Sequence, residues 1–285
     1  MGRTRRSTTP TSRPSEPRLL QTMAMRRTTR TRLYRVTMYA IFIAVVVWVA
    51  LATDWVKIGT VFFNVEVAIK QFPNIIVIAL RNTVLFTLIA FVGGAILGVL
   101  FAVMKLSSVG PYRWFATAWI ELFRGMPAIL TLFIIAYGLP IGLGFKMPGG
   151  PIVSGLLGLI LVSSAYIAEV VRAGIQAVPK GQTEASRSLG MSPMKTMFWV
   201  VLPQGFRIII PPMTNEFVLL LKDTSLLFVV GSTLATKELT TFARDAQSMD
   251  ANSTPLIMAA LLYLVVTIPL TRAVAWLERK MAKQR

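Results

Sequence analysis

Cysteine and histidine are both absent from the 285 residues of this chain. Thiolate and imidazole metal centres, cysteine nucleophiles, disulfides and histidine-based triads are excluded together. No G-x-x-x-x-G-K-[ST] run occurs, so the chain has no phosphate loop with which to hold ATP. Nor is there an internal repeat of the kind that halves many secondary transporters. Acidic residues are scarce, 12 Asp and Glu against 30 Lys and Arg. No catalytic residue, metal site or cofactor of its own is therefore expected; an intramembrane enzyme would need a catalytic base, and Asp223 is accompanied only by Lys222.

What the chain has in abundance is apolar sequence, 54% of the residues. Six runs approach the length a helix needs to cross about 30 Å of hydrocarbon: 37–53, 75–104, 114–139, 152–172, 206–230 and 255–277. Backbone groups find no partners in lipid, and the runs show no period-2 alternation, so the expected fold class is all-α, a polytopic membrane protein.

The formal charge of +18 could suggest nucleic acid, but its distribution points to a membrane. Ten arginines crowd the first 35 residues, which are rich in Ser, Thr and Pro and read as a disordered cytoplasmic tail, 1–35. An extra anchor span and outer loop, 36–74, follow. Ala50-Leu51-Ala52 also resembles a signal-peptidase site, and either reading puts Asp54 outside. With the N-terminus inside, the basic residues Lys105, Arg113, Arg172, Lys180, Arg187, Lys195, Arg207, Arg279, Lys280, Lys283 and Arg285 all fall inside. The outer loops, carrying Lys146 or balanced sets such as Lys237, Glu238, Arg244, Asp245 and Asp250, are nearly neutral. In the second span Gly94 and Gly98 form a GxxxG step suited to close helix approach, at a subunit interface or a pore wall.

The loop between the fourth and fifth runs is too structured for a connector. Pro179 suits a first helical position, Glu184 and Arg187 stand one turn apart, and Gly190 suits a left-handed C-cap. Ser192-Pro193 then reads as an N-cap and first position of a second short helix, which should stop before Pro203. A helix-Gly-helix hairpin, 178–203, results, with the small residues Ala185, Ser186 and Ser188 able to sit in a groove on a partner.

At these residues the chain resembles the permease subunits of ATP-binding-cassette importers. Their cytoplasmic signature, EAA, three residues, Gly, nine residues, I-x-L-P, stands here as Glu184-Ala185-Ser186, Gly190 and Val200-Val201-Leu202-Pro203. The stretches ELFRGMPAIL, AYIAEVVRAGIQAVPKGQTEA, LPQGFR and NEFVLLLKDTSL are similar to the polar amino-acid uptake branch. The resemblance implies a five-helix permease domain, 75–285, carrying one added N-terminal helix, in a bacterial plasma membrane. It implies a hairpin docked through Glu184, Ala185, Ser186, Gly190 and Pro203 on a cytoplasmic ATPase that binds ATP and magnesium. Two such ATPases, a second permease of different sequence, a solute-binding protein and an amino-acid substrate complete the expected assembly. A secondary carrier or channel driven by ion gradients is the alternative.

Ionisable groups in hydrocarbon mark either a pathway or a structural pair. Glu121 could neutralise Arg124 at i,i+3, and Glu169 lies near the inner end of the fourth span. Along the fifth span Asn215, Glu216, Lys222, Asp223, Thr224 and Ser225 follow a break at Pro211-Pro212; they could meet the charges of an amino acid, or Lys222 could pair with Glu216 or Asp223. Arg81, beside Asn82, could receive an acidic side chain.

Overall fold

The structure, a computed structural model, describes residues 17–144 and 147–282. It is helical throughout, with no strand among the described residues. Residues 1–16 of the expected basic tail, together with Lys146, Lys283 and Arg285, lie outside them. Two compact units divide the chain, Met1–Lys57 and Ile58–Arg285.

The first unit is dominated by α1 (Pro17–Ala52). The backbone is thus helical from Pro17, ahead of the apolar run that begins at Thr37, and the basic residues up to Arg35 continue into that helix. From Thr31 onward its side chains are exposed along the whole apolar length.

In the second unit the end of α2 (Trp55–Phe62) and α3 (Val65–Gln71) lead into a π-helical segment, Ile75–Leu80, and α4 (Arg81–Leu106). The third expected span is not straight. It divides into α5 (Gly110–Gly125) and the run from α6 (Ala128–Phe133) to α7 (Leu139–Leu143), which meet at 107°. Pro127 explains the break: it brings no N–H to the helix ladder and drives the preceding Met126 into an extended conformation, φ −101° and ψ 136°.

α8 (Pro151–Gln176) is the most enclosed helix and packs along α4. The α4 glycines make this contact possible. A Cβ on Gly94 would lie 2.0 Å from Ser163 Oγ, and one on Gly98 would lie 2.8 Å from Ile167 Cβ and 2.9 Å from the Ser164 carbonyl. The GxxxG step is therefore occupied within the chain, by α8, and not held open for another subunit. Phe101, Ile120, Ile167 and Ile209 form a buried cluster around this pair, with Trp119 stacked on Phe101 and donating to Ser164 Oγ at 3.1 Å.

After the hairpin, formed by α9 (Lys180–Ser188) and α10 (Pro193–Thr196), come α11 (Leu202–Asp223), α12 (Leu239–Asp250) and α13 (Thr254–Ala282). The fifth apolar run thus stops being α-helical at Asp223 and continues as a 3₁₀ segment, Thr224–Val229. Four helices among the described residues are long and apolar enough to cross a membrane, five if the bent pair counts as one. α11, which carries Arg207, Glu216, Lys222 and Asp223, is not among them.

Candidate functional site

Two features near the ends of α8 and α11 carry the chemistry. The first is the hairpin. Gly190 adopts φ +84°, and the amides of Gly190 and Met191 donate to the carbonyls of Arg187 and Ser186 at 3.0 and 3.1 Å. This Schellman closure satisfies the last carbonyls of α9 and requires a left-handed residue where glycine stands. Ser192 Oγ then accepts the Lys195 amide at 3.3 Å and caps α10. Ser186, which departs from the alanine-type residue of the signature, is buried. Its hydroxyl lies 3.1 Å from that of Thr196 and ties the two helices together.

Two local expectations change. Glu184 forms no ion pair with Arg187; the guanidinium instead donates to the Met191 carbonyl, inside the turn. Glu184 and Ala185 are left exposed, as are Leu189 at 85% and Trp199 at 77%. The second helix also does not stop before Pro203. A π-helical segment, Met197–Val201, joins α10 directly to α11, with the Leu202 amide donating to the Met197 carbonyl. The wider i→i+5 turn takes up the missing proline donor, so the chain passes through Pro203 without breaking.

The second feature is a cavity of about 390 Å³ bordered by Arg124, Tyr166, Glu169, Ile208, Pro212 and Glu216, among others. Three expected site residues, Arg124, Glu169 and Glu216, thus come together from α5, α8 and α11. Ile208, Pro212 and Glu216 recur every four residues along one face of α11. Pro212 has no N–H, so the Ile208 carbonyl one turn earlier is freed from the helix ladder beside the cavity.

The pairings within this group differ from expectation. Arg124 does not bridge to Glu121; its guanidinium lies 5.6 Å from the Tyr166 ring centroid, a cation–π arrangement. Glu169 is held from both sides: Arg172 grips both carboxylate oxygens, with Nε at 3.0 Å, and Lys105 Nζ of α4 lies at 3.4 Å. Both of those cations were legible in the sequence, but as loop charges. Lys222 is exposed and makes no ion pair with Glu216 or Asp223.

The remaining expected residues stand apart from the cavity lining. Asn215 is exposed, the buried Thr224 hydroxyl donates to the Leu221 carbonyl at 2.6 Å, and Ser225 and Asp223 are half-buried. Arg81 is exposed, while its neighbour Asn82 donates to the Ala235 and Lys237 carbonyls at 2.8 and 3.0 Å. Tyr166 and Ile208 were missed by sequence reasoning, whereas Pro212 belongs to the break it had marked. The four-residue spacing of Ile208 to Pro212 and Glu216 is the signal that could have found Ile208. No cluster of metal-ligating side chains occurs among the described residues.

A helical chain with several elements long and apolar enough to cross a membrane, a structured hairpin and a cleft of mixed charge is a polytopic membrane protein. Residues 94–283 match the family described as binding-protein-dependent transport system inner membrane component, and the chain belongs to that family. It is a permease subunit, with ATP hydrolysed on a separate ATPase subunit. Among its relatives, the probable glutamine ABC transporter permease protein GlnM of Bacillus subtilis is 39% identical over 71% of this chain and 91% of its own length. The glutamate/aspartate import permease protein GltK of Escherichia coli is 32% identical over 70% and 90%. A solved structure of an amino acid ABC transporter superposes with a TM-score of 0.68 at 36% identity, covering 75% of this chain and 96% of that one.

Proposed function

We propose that this permease passes a polar amino acid inward across a bacterial plasma membrane, the acidic amino acids and glutamine being the favoured substrates. The observation that carries this is the cavity in which Arg124 and Glu216 border one space beside the freed Ile208 carbonyl. An α-carboxylate and an α-ammonium need such opposite groups, because burying either charge unpaired is costly. The names of GlnM and GltK support the substrate class. In this arrangement Glu169, already held by Arg172 and Lys105, is a wall of the site, and Glu216 meets the ammonium.

The chain crosses the membrane six times with both termini inside, α1 being the added span, α5 to α7 one bent span and α11 another. The hairpin faces the cytoplasm, where Glu184, Ala185 and the turn at Gly190 seat on an ATPase subunit that holds ATP and magnesium. Two ATPases, a second permease of different sequence and an external solute-binding protein complete the assembly. Closure of the ATPases around ATP moves the hairpins and rocks the permease pair between inward- and outward-open states.

The test is uptake by the full assembly in proteoliposomes. Glu216→Gln and Arg124→Gln each remove one charge-assisted contact worth about 1.5–3 kcal/mol, so uptake at low substrate falls roughly ten- to hundredfold. Basal ATP hydrolysis persists. Uptake at the unmodified rate in Glu216→Gln would remove the cavity from the pathway.

A further inference from the structure

A second cavity, of about 670 Å³, lies between α4, α8, α11 and α13, bordered by residues that include Phe91, Val171, Ile209, Phe217, Val274 and Trp276. Its chemistry is unlike that of the cleft at Glu216. Only Thr214 and, at the mouth, Trp276 bring an O–H or N–H to the lining, and the Thr214 hydroxyl is already engaged with the Ile210 and Pro211 carbonyls at 3.2 and 2.7 Å. Beyond the mouth an occupant therefore finds no charged or free polar side chain and must itself be apolar there.

The mouth at the hairpin end is different. Here the first turns of α11, Leu202 and Phe206, meet the last turns of α13, Trp276 and Leu277. Lys280 Nζ stands 5.1 Å from the Trp276 ring centroid, so a cation sits over an aromatic of the cavity rim. Arg207 follows Phe206, and Arg279 and Lys280 follow Leu277; all three are exposed, as is the single nearby carboxylate, Glu278. An apolar slot ending in an aromatic and a cluster of cations matches an acyl chain with an anionic headgroup.

We propose that the α11–α13 cleft is a binding site for an anionic phospholipid, with an acyl chain in the slot and the phosphate among Arg207, Arg279 and Lys280. A second copy of the chain is a poorer occupant. A two-fold contact there would set Arg279 and Lys280 against the same cations, and two concave faces do not interlock. A polar amino acid is excluded because the lining offers no charged side chain to meet its carboxylate and ammonium. Because α11 also borders the Glu216 cleft, lipid in the slot braces the helix that carries that cleft.

The site rests on the chain's place in a membrane and not on its substrate. The full assembly in nanodiscs containing phosphatidylglycerol with a photoreactive acyl chain should form adducts on peptides covering 209–217 and 270–277. Phosphatidylcholine carrying the same acyl group should label them weakly. Arg279→Glu with Lys280→Glu, both at exposed positions, should lower the phosphatidylglycerol adduct roughly tenfold or more. Ala273→Trp, which fills the slot, should remove the adduct on 270–277 while labelling elsewhere persists. Equal labelling by both lipids, or an adduct indifferent to the charge reversal, would overturn the proposal and leave only bulk lipid. A crosslink from the slot to the second permease would overturn it as well. Uptake measured in the same nanodisc assembly reports separately on the substrate cleft.

Discussion

Gly190 is the residue whose backbone decides the shape of the hairpin. Nothing lies within 4 Å of a Cβ built on it, so its value is conformational and not steric. Any other residue held at φ +84° costs about 1–2 kcal/mol, and a chain that avoids this cost changes the angle between α9 and α10. Gly190→Asp is therefore expected to insert normally yet lose its ATPase on purification. Glu184→Lys, at an exposed position whose carboxylate has no partner among the described residues, is expected to do the same through charge alone. A stoichiometric ATPase retained by both variants would mean the hairpin is not the docking element. Gly94 presents the opposite case, since space decides there: Gly94→Ala drives a methyl into Ser163. It should cost about 1–3 kcal/mol, read as a lower thermal midpoint in detergent, with ATPase association unchanged.

At the scale of elements, helices and hairpin were legible because apolar run length, glycine and proline placement, and Ser192 all act locally. The bend at Pro127 was written in the sequence too, but an apolar run hides it: composition reads straight through a proline that geometry does not. The pairings could not be read, because Arg124 with Tyr166, and Lys105 with Glu169, join residues on different helices. Sequence spacing offered Glu121 with Arg124, Glu184 with Arg187, and Lys222 with Glu216 or Asp223, and none of these pairs formed; the i,i+3 pair that does form, Glu169 with Arg172, was not among them.

α12 gives a titratable consequence of its own. Glu238 is buried at its start and accepts the Thr240 and Thr241 amides, both at 2.6 Å, and the Tyr263 hydroxyl at 3.3 Å. Burial pushes its pKa up, and the hydrogen bonds from Thr241 and Thr240 only partly oppose that. Asp245 goes the other way: burial raises it, but Lys237 at 2.8 Å, and then Arg244, more than offset burial and hold it below the usual value. A raised carboxyl takes its proton first in the folded state, so α12 firms as pH falls through the Glu238 value. A depressed one loses its contribution as pH falls from about 3.9 through the folded Asp245 value. Amide exchange across 239–250, corrected for intrinsic rates, should be slowest in mild acid. Glu238→Gln should flatten the limb toward neutral pH, and Asp245→Asn the acid limb. A profile that neither variant alters would show that these carboxyls do not set the stability of α12.

For the whole molecule, the question is what would drive movement through the cleft proposed at Glu216. A carrier that works from an ion gradient must hold its alternating states within its own chain. This chain has no internal repeat, and its central pair, α4 and α8, is locked by Gly94 and Gly98 on one side and by Lys105 to Glu169 at the hairpin end. Such a pair is built to move as one body, and under the proposed coupling the hairpin is its handle. The purified chain alone in liposomes should therefore carry no amino acid down a proton or sodium gradient. Adding the ATPase, the second permease and the solute-binding protein should start uptake that stops when ATP is withheld. Gradient-driven flux by the chain alone would make the hairpin incidental. Because the chain lacks cysteine, Ser188→Cys and Ser248→Cys supply unique thiols on α9 and α12 for the companion measurement. A membrane-impermeant maleimide should reach only Ser248→Cys from outside and only Ser188→Cys from inside. Labelling of both from one side would remove the basis for placing an ATPase and a solute-binding protein at opposite ends of the chain.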